Sequence, residues 1–291
     1  MTLDVRGDGS SVLVGTATGV HRLGGDPGLA GEPVTALAGE WTLTGGRVLW
    51  RGSERVAELD GPAATCVLAT ADGVFVGTEE AHLLRFVDGV VEQVVSFEDA
   101  DGRDRWYTPW GGPPDVRSLA AGADGSLYAN VHVGGILRST DRGRTWHPTI
   151  DVDSDVHQVV APDGAVLAAT AYGLARSGDG GREWSFLTDG LHATYSRAVA
   201  VAGDVVLVSV SRGPGGQEAA VYRLVDGGFE RCRAGLPEWF SGNVDTACLV
   251  ADGELAALGT GDGSVFVSTD SGRRWEQAAT GLGRVTGLTL A

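Results

Sequence analysis

Four short stretches carry residue types that could do chemistry together: Asp115-Val116-Arg117, Asp155-Val156-His157, Tyr195-Ser196-Arg197 and Asn243-Val244-Asp245. In each, two polar or ionisable residues flank a valine or a serine, and side chains two apart on a strand share a side. Arg117 and Arg197 are suited to clamp a carboxylate or phosphate bidentately. His157 with Asp155 makes a carboxylate–imidazole pair fit for general acid–base work. Tyr195, His192 and His132 would supply a second proton-transfer group or an oxyanion donor. Asn243 and Asp245 would add substrate contacts, and the aromatics Trp110 and Trp239 would stack on a ligand or exclude water.

The histidines allow a second reading. His132, His157 and His192 form an imidazole set that suits Zn, Fe or Mn, with Asp153 or Asp155 as a further ligand or as the partner that fixes a tautomer. The cofactor expected on this reading is a divalent transition metal, although no short spacing motif joins the three histidines.

Composition narrows the partner. With 38 acidic against 22 basic residues, all of them arginine, the net charge is −16. Such a chain is not expected to bind nucleic acid or an anionic membrane surface, because counterion release needs clustered basic side chains. Arginines and histidines gathered at one opening of so acidic a protein would focus a local positive field, most simply to attract a small anionic ligand. No stretch approaches 18 consecutive apolar residues, and MTLDVRGDGS has neither a charged n-region nor an apolar h-region. Neither a membrane span nor a signal peptide is expected. Cys66, Cys232 and Cys248 lack Cys-x-x-Cys spacing, so neither a disulfide framework nor a zinc knuckle is indicated, and a reducing cytoplasm suits them.

A repeat must position these groups. The chain holds 46 glycines and no long segment with apolar residues at helical spacing. One unit recurs: an apolar strand, a turn often spelled Asp-Gly, and three further strands. The turns are Asp72-Gly73, Asp124-Gly125, Asp163-Gly164 and Asp252-Gly253, with Gly203-Asp204 reversed. Equivalent positions at Thr35, Thr65, Arg117, His157, Arg197, Asp245 and Thr286 recur about every 42 residues, the length of a four-stranded propeller blade. Second strands are expected near Val12, Val48, Val74, Leu127, Val166, Val205 and Leu255. The fold class expected is all-β: one seven-bladed β-propeller with four-stranded antiparallel blades, spanning residues 1–291 as a single domain. Both MTLDVRGDG and the C-terminal VTGLTLA look like first strands, which makes eight candidates for seven places.

Three octets punctuate the repeat: STDRGRTW from Ser139, SGDGGREW from Ser177 and STDSGRRW from Ser268, sharing Ser-x-Asp-x-Gly-x-x-Trp. Ser139, Asp141, Gly143 and Trp146, then Ser177, Asp179, Gly181 and Trp184, then Ser268, Asp270, Gly272 and Trp275 are expected to be structural. The Asp would accept from nearby backbone N–H groups, the Gly would take φ > 0 and the Trp would pack into the blade. Worn copies stand at Phe86-Val87-Asp88-Gly89 and Leu224-Val225-Asp226-Gly227.

The octets resemble the Asp-box, or bacterial neuraminidase repeat, and the chain is similar to single-domain propellers built on it. Relatives by architecture include sialidases, xyloglucanases, sortilin-type receptors and photosystem II assembly-factor propellers. The resemblance implies a fold and leaves function open, because that set spans enzymes, receptors and scaffolds. Sialidase activity is not expected, since no Phe/Tyr-Arg-Ile-Pro motif occurs and seven blades are expected where catalytic sialidase domains have six. Xyloglucanases set two propellers around one cleft, and this chain has one.

Strand direction alternates within a blade, so the loops leading into first strands share a face with those joining second to third strands, and the octets lie on the other. The site is therefore expected at the mouth opposite the octets. Asn130, His132, Tyr172, Glu79, Glu80 and His82 come from loops on that face, and two inserts, RWYTPWGGPP (105–114) and LPEWFSGN (236–243), would form walls or a lid. The function expected is recognition, with turnover by hydrolysis or elimination, of a small anionic molecule. The alternative is a non-catalytic protein-interaction scaffold whose exposed Trp and Arg dock a partner.

Overall fold

The computed structural model describes residues 11–109 and 111–291. Seven antiparallel sheets follow one another along the chain as the blades of a propeller. Blades two to seven have four strands each and span Val34–Glu58, Ala64–Gln93, Asp115–Pro148, Val156–Leu187, Tyr195–Arg231 and Leu249–Ala279. Blade one combines the two ends of the described chain: Val285–Leu290 is its inner strand, followed by Val12–Thr16 and Gly19–Arg22. The C-terminal strand therefore closes the ring, locked by Ser11 N to Ala291 O at 2.8 Å and the reciprocal bond at 3.0 Å. MTLDVRGDG lies outside the described residues. A bridge between Val20 and Gly28 stands where blade one's fourth strand would be.

Two strand expectations are corrected. Blade two's second strand is Trp41–Thr44, and Val48–Arg51 is its third, because the chain already reverses at Gly39, where φ is +58°. In blade seven the inner strand begins only at Leu249; Asp245–Cys248 is a turn closed by Cys248 N to Asp245 O at 2.9 Å, with Ala247 at φ +61°.

The valine near the start of an inner strand, Val116 in one of the polar stretches and Val34 and Val285 elsewhere, is an inter-blade knob. A Cβ added to Gly15, Gly77 or Gly259 would lie 2.5–2.6 Å from Cγ1 of Val34, Val116 or Val285 in the next blade. Only glycine on the second strand leaves room for that valine. Each of the three is almost fully buried, which contributes about 1.5–3 kcal/mol per valine. With a neighbour on each side, second strands such as Leu127–His132 and Val166–Thr170 are buried throughout, so their sequence does not alternate.

The three octets fold alike. Ser139 Oγ donates to Asp141 Oδ1 at 2.8 Å and accepts Gly143 N at 2.8 Å, while Asp141 Oδ1 accepts Arg144 N and Thr145 N at 3.0 and 2.9 Å. Asp179 repeats the pattern with Arg182 N and Glu183 N, and Asp270 accepts Arg274 N. Gly143, Gly181 and Gly272 all have φ between +79° and +95°. Trp146 and Trp275 are buried; Trp184 is half-buried and donates Nε1–H to Thr149 O. The worn copies are tight turns with both central residues at positive φ, Asp88-Gly89 and Asp226-Gly227.

Candidate functional site

Near the mouth, the inner strands of six blades depart from the ladder at one equivalent residue. The register skips Thr35, Thr65, Arg117, His157 and Thr286, and the two residues Arg197 and Ala198 in blade six. A bulge leaves neighbouring backbone groups without ladder partners, and a buried carbonyl must find another donor. The preceding blade supplies it. Thr286 Oγ1 donates to Val34 O at 2.9 Å, Thr65 Oγ1 to Val116 O, Ser209 Oγ to Val244 O at 2.9 Å, and the ring N–H of His157 at Nδ1 to Ser196 O at 2.6 Å.

The last of these sets the state of His157. A carbonyl only accepts, so Nδ1 carries the proton and Nε2 presents a bare lone pair. His157 is fully buried, Nε2 has no hydrogen-bond partner, and burial pulls its pKa down to about 4, against the pull of Asp155.

Asp155 meets His157 from the connector between blades four and five. Asp151 caps a short turn by accepting Asp153 N at 2.9 Å, and the turn ends with Asp155 in the left-handed region at φ 43°, ψ 65°. Its Oδ1 lies 3.6 Å from His157 Nε2 and 2.9 Å from Nε2 of His132, which comes from the end of blade four's second strand and is 3% exposed. The contact to His132 helps to hold this carboxylate ionised. Burial raises the pKa of Asp155, yet the nearby His132, His157 and Arg117 outweigh it and hold the carboxyl below the usual range. The rings of His132 and His157 stack at 5.9 Å, and that of Tyr195 lies 4.7 Å from His157.

Two arginines flank this group. Arg197 lies 5.8 Å over the Tyr195 ring and is ion-paired with Asp245, which Arg284 also holds at 2.8 Å. Its pKa is raised: desolvation lowers it, and the charge of Asp245 prevails. Arg117 is half-buried and makes no hydrogen bond or ion pair among the described residues; desolvation and then repulsion from Arg197 lower its pKa. Asp115 is raised by burial despite facing Arg117.

Arg117, His132, Asp155, His157, Tyr195 and Arg197 thus come together, and the other expected residues do not join them. His192 donates or accepts at Tyr222 Oη, 2.7 Å from Nδ1, and packs 5.0 Å from Trp239, whose other neighbour is the Arg231 guanidinium 3.7 Å from its ring centre. His192 and Trp239 are therefore corrected to a separate cluster on blade six. Asn243 is also corrected: its amide donates to Gly213 O and Pro214 O and ties down a loop. Asp245 is ion-paired with two arginines, Arg197 and Arg284. Trp110 lies outside the described residues.

The described parts of the inserts are tied down to the blades. Tyr107 N and O pair with Val133 O and N, Trp106 packs on Phe97 and Arg103, and Phe240 is buried with its N–H on Ala219 O. Asn130 is on a strand, fully buried, and bonds Ser118.

Sequence reasoning missed the floor. Thr246, in the turn that replaces the start of blade seven's inner strand, donates towards His157 O at 3.1 Å and Arg197 O at 3.2 Å, and Ala247 N reaches Gln158 Oε1 at 3.2 Å. This turn crosses the channel beneath the mouth. Its only sequence signal is a polar interruption in VDTACLV. Grooves also run between blades on the octet face, one bordered by Tyr128, Arg138 and Asp163, but Arg138 there is already paired with Asp124 at 3.1 Å.

No family model and no curated protein matches the chain. Solved structures match in fold. The GH74 enzyme of Niastella koreensis superposes with a TM-score of 0.60 at 13% identity over 92% of this chain and 46% of its own. A chain of the nidogen/laminin complex gives 0.59 at 11% over 97% and 98%, and a computationally designed protein gives 0.56 at 14% over 84% and 73%. An enzyme, a chain of a protein complex and a design share this architecture, so the likeness shows the fold alone.

Proposed function

We propose that the mouth formed by blades four to six binds a small anionic molecule, a carboxylate or a phosphate. Arg117 carries this reading: a half-buried guanidinium that makes no hydrogen bond or close ion pair among the described residues, in a protein of net charge −16. Removing such a charge from water is unfavourable unless an anion repays it, and the fork of a guanidinium matches both anions. Arg197, held by Asp245, adds field without being free to collapse onto Asp155. His132, Asp155 and His157 stand beside the anion position as the groups for turnover by hydrolysis or elimination. The recessed ionisable groups, among them the buried His132 and His157, favour this reading over a docking platform. The octets, by their shared hydrogen-bond pattern, support the Asp-box reading of the blades.

The test is calorimetry of chelator-treated protein with inorganic phosphate and a panel of small mono- and dicarboxylates. At least one should bind, with affinity falling tenfold or more in Arg117→Met and steeply with salt. Binding that is indifferent to Arg117, or absent throughout the panel, removes this function.

A further inference from the structure

We propose that His132, Asp155 and His157 hold a divalent transition-metal ion at the mouth, with coordination positions left open beside Arg117. The inference stands on the geometry of these three side chains and does not depend on the anion reading. One donor atom from each lies within 4.8 Å of the others. The two contacts to Asp155 Oδ1, 2.9 and 3.6 Å, bracket the spacing of adjacent ligands around one ion, about 3.0–3.4 Å for metal–ligand bonds near 2.1 Å. Closing the third side requires only a small approach of two rings that already stack.

The orientation of His157 is the stronger argument. Its protonated Nδ1 is committed to Ser196 O, so the lone pair on Nε2 faces a carboxylate oxygen with no proton from either group to place between them. Asp155 Oδ1 has His132 as a neighbour, but the buried Nε2 of His157 has no donor of its own, and a cation between the three groups would satisfy it. The bond from Nδ1 to a backbone carbonyl is also the outer contact that a metal-bound imidazole ordinarily makes, and it holds the ring in the ligating tautomer before any ion arrives. Two imidazoles and one carboxylate select Zn, Fe, Co or Mn over Ca or Mg, and three protein ligands leave room for exogenous ones. Bound there, the ion would offer those positions to an anion that Arg117 also grips.

The experiment uses the full chain, purified without metal affinity and stripped with chelator, titrated with Co2+ in the visible range and with Zn2+ by calorimetry. Wild type should take one equivalent of Co2+ with a d–d band that Zn2+ displaces. Asp155→Asn removes the carboxylate while keeping a residue that tolerates φ > 0; it should weaken binding by more than the roughly 10–100-fold typical of losing an outer contact. His192→Ala should bind as wild type does. A wild-type protein that gives neither band nor heat overturns the site, with a bridging water left as the occupant of the gap. Retention in Asp155→Asn, or loss in His192→Ala, overturns it equally. Phosphate or carboxylate binding to the stripped protein reports the anion reading separately, so the two can fail independently.

Discussion

His157 donates from Nδ1 to the carbonyl of Ser196 in the next blade, 2.6 Å away, in the place where Thr65 serves Val116 and Thr286 serves Val34. One bulged position in the repeat therefore does a structural task with threonine in blades one and three. In blade five a histidine does the same task and turns its second nitrogen to the mouth.

That equivalence predicts a rescue. His157→Ala should cost about 1–3 kcal/mol, because Ser196 O is left buried without a donor. His157→Thr should recover most of this loss while remaining unable to bind Co2+. Urea unfolding of both variants checks it; a threonine variant as unstable as the alanine one would mean that the bond is incidental.

Arg117 should behave as a functional residue maintained at a cost. Replacing this half-buried charge, which has no hydrogen bond or close ion pair among the described residues, by methionine, which keeps the apolar stem, should leave the melting temperature unchanged or raise it. A fall of several degrees in thermal unfolding would show that Arg117 has a structural partner.

The octet carboxylates give the protein a defined acid limit. Asp141 is held at about 2, first by the Thr145 hydroxyl and then by the Thr145 N–H, and Asp179 is lowered chiefly by the Glu183 N–H; Asp270 is lowered by its backbone donors in spite of desolvation. A folded pKa below the unfolded value, about 3.9, means stability that is present above that value and lost as pH falls through the folded one. Unfolding monitored by circular dichroism should therefore steepen between about pH 4 and pH 2, and Asp141→Asn should flatten that dependence. An identical acid profile in the variant would show that the turn does not couple to folding.

The three thiols should be silent. Burial pushes Cys66, Cys232 and Cys248 up to about 12, so each is a neutral thiol at pH 8. An aromatic disulfide reagent should titrate none of them in the folded protein and all three in denaturant. Rapid labelling of any one in native buffer would reveal local opening of its blade.

Much of this protein was determined by local sequence. The period, the Asp-Gly reversals and the octets each depend on contacts a few residues apart, so blade number, the octet turns and the opposite face could be read from the chain. Asp155 and His157 were also legible, as neighbours two apart at a strand start. What only the tertiary structure decided is which distant groups meet. His132 reaches Asp155 and His192 does not, because the first ends a second strand at the mouth while the second is drawn to Tyr222 on blade six. Asp245 is spent on Arg197 and Arg284, and Thr246 closes the floor, because a turn displaces the strand that alternation alone would have continued. Ring closure was undecided for the same reason: both chain ends offer a suitable strand, and only the pairing of Val12–Thr16 with the far end of the chain, Val285–Leu290, selects one.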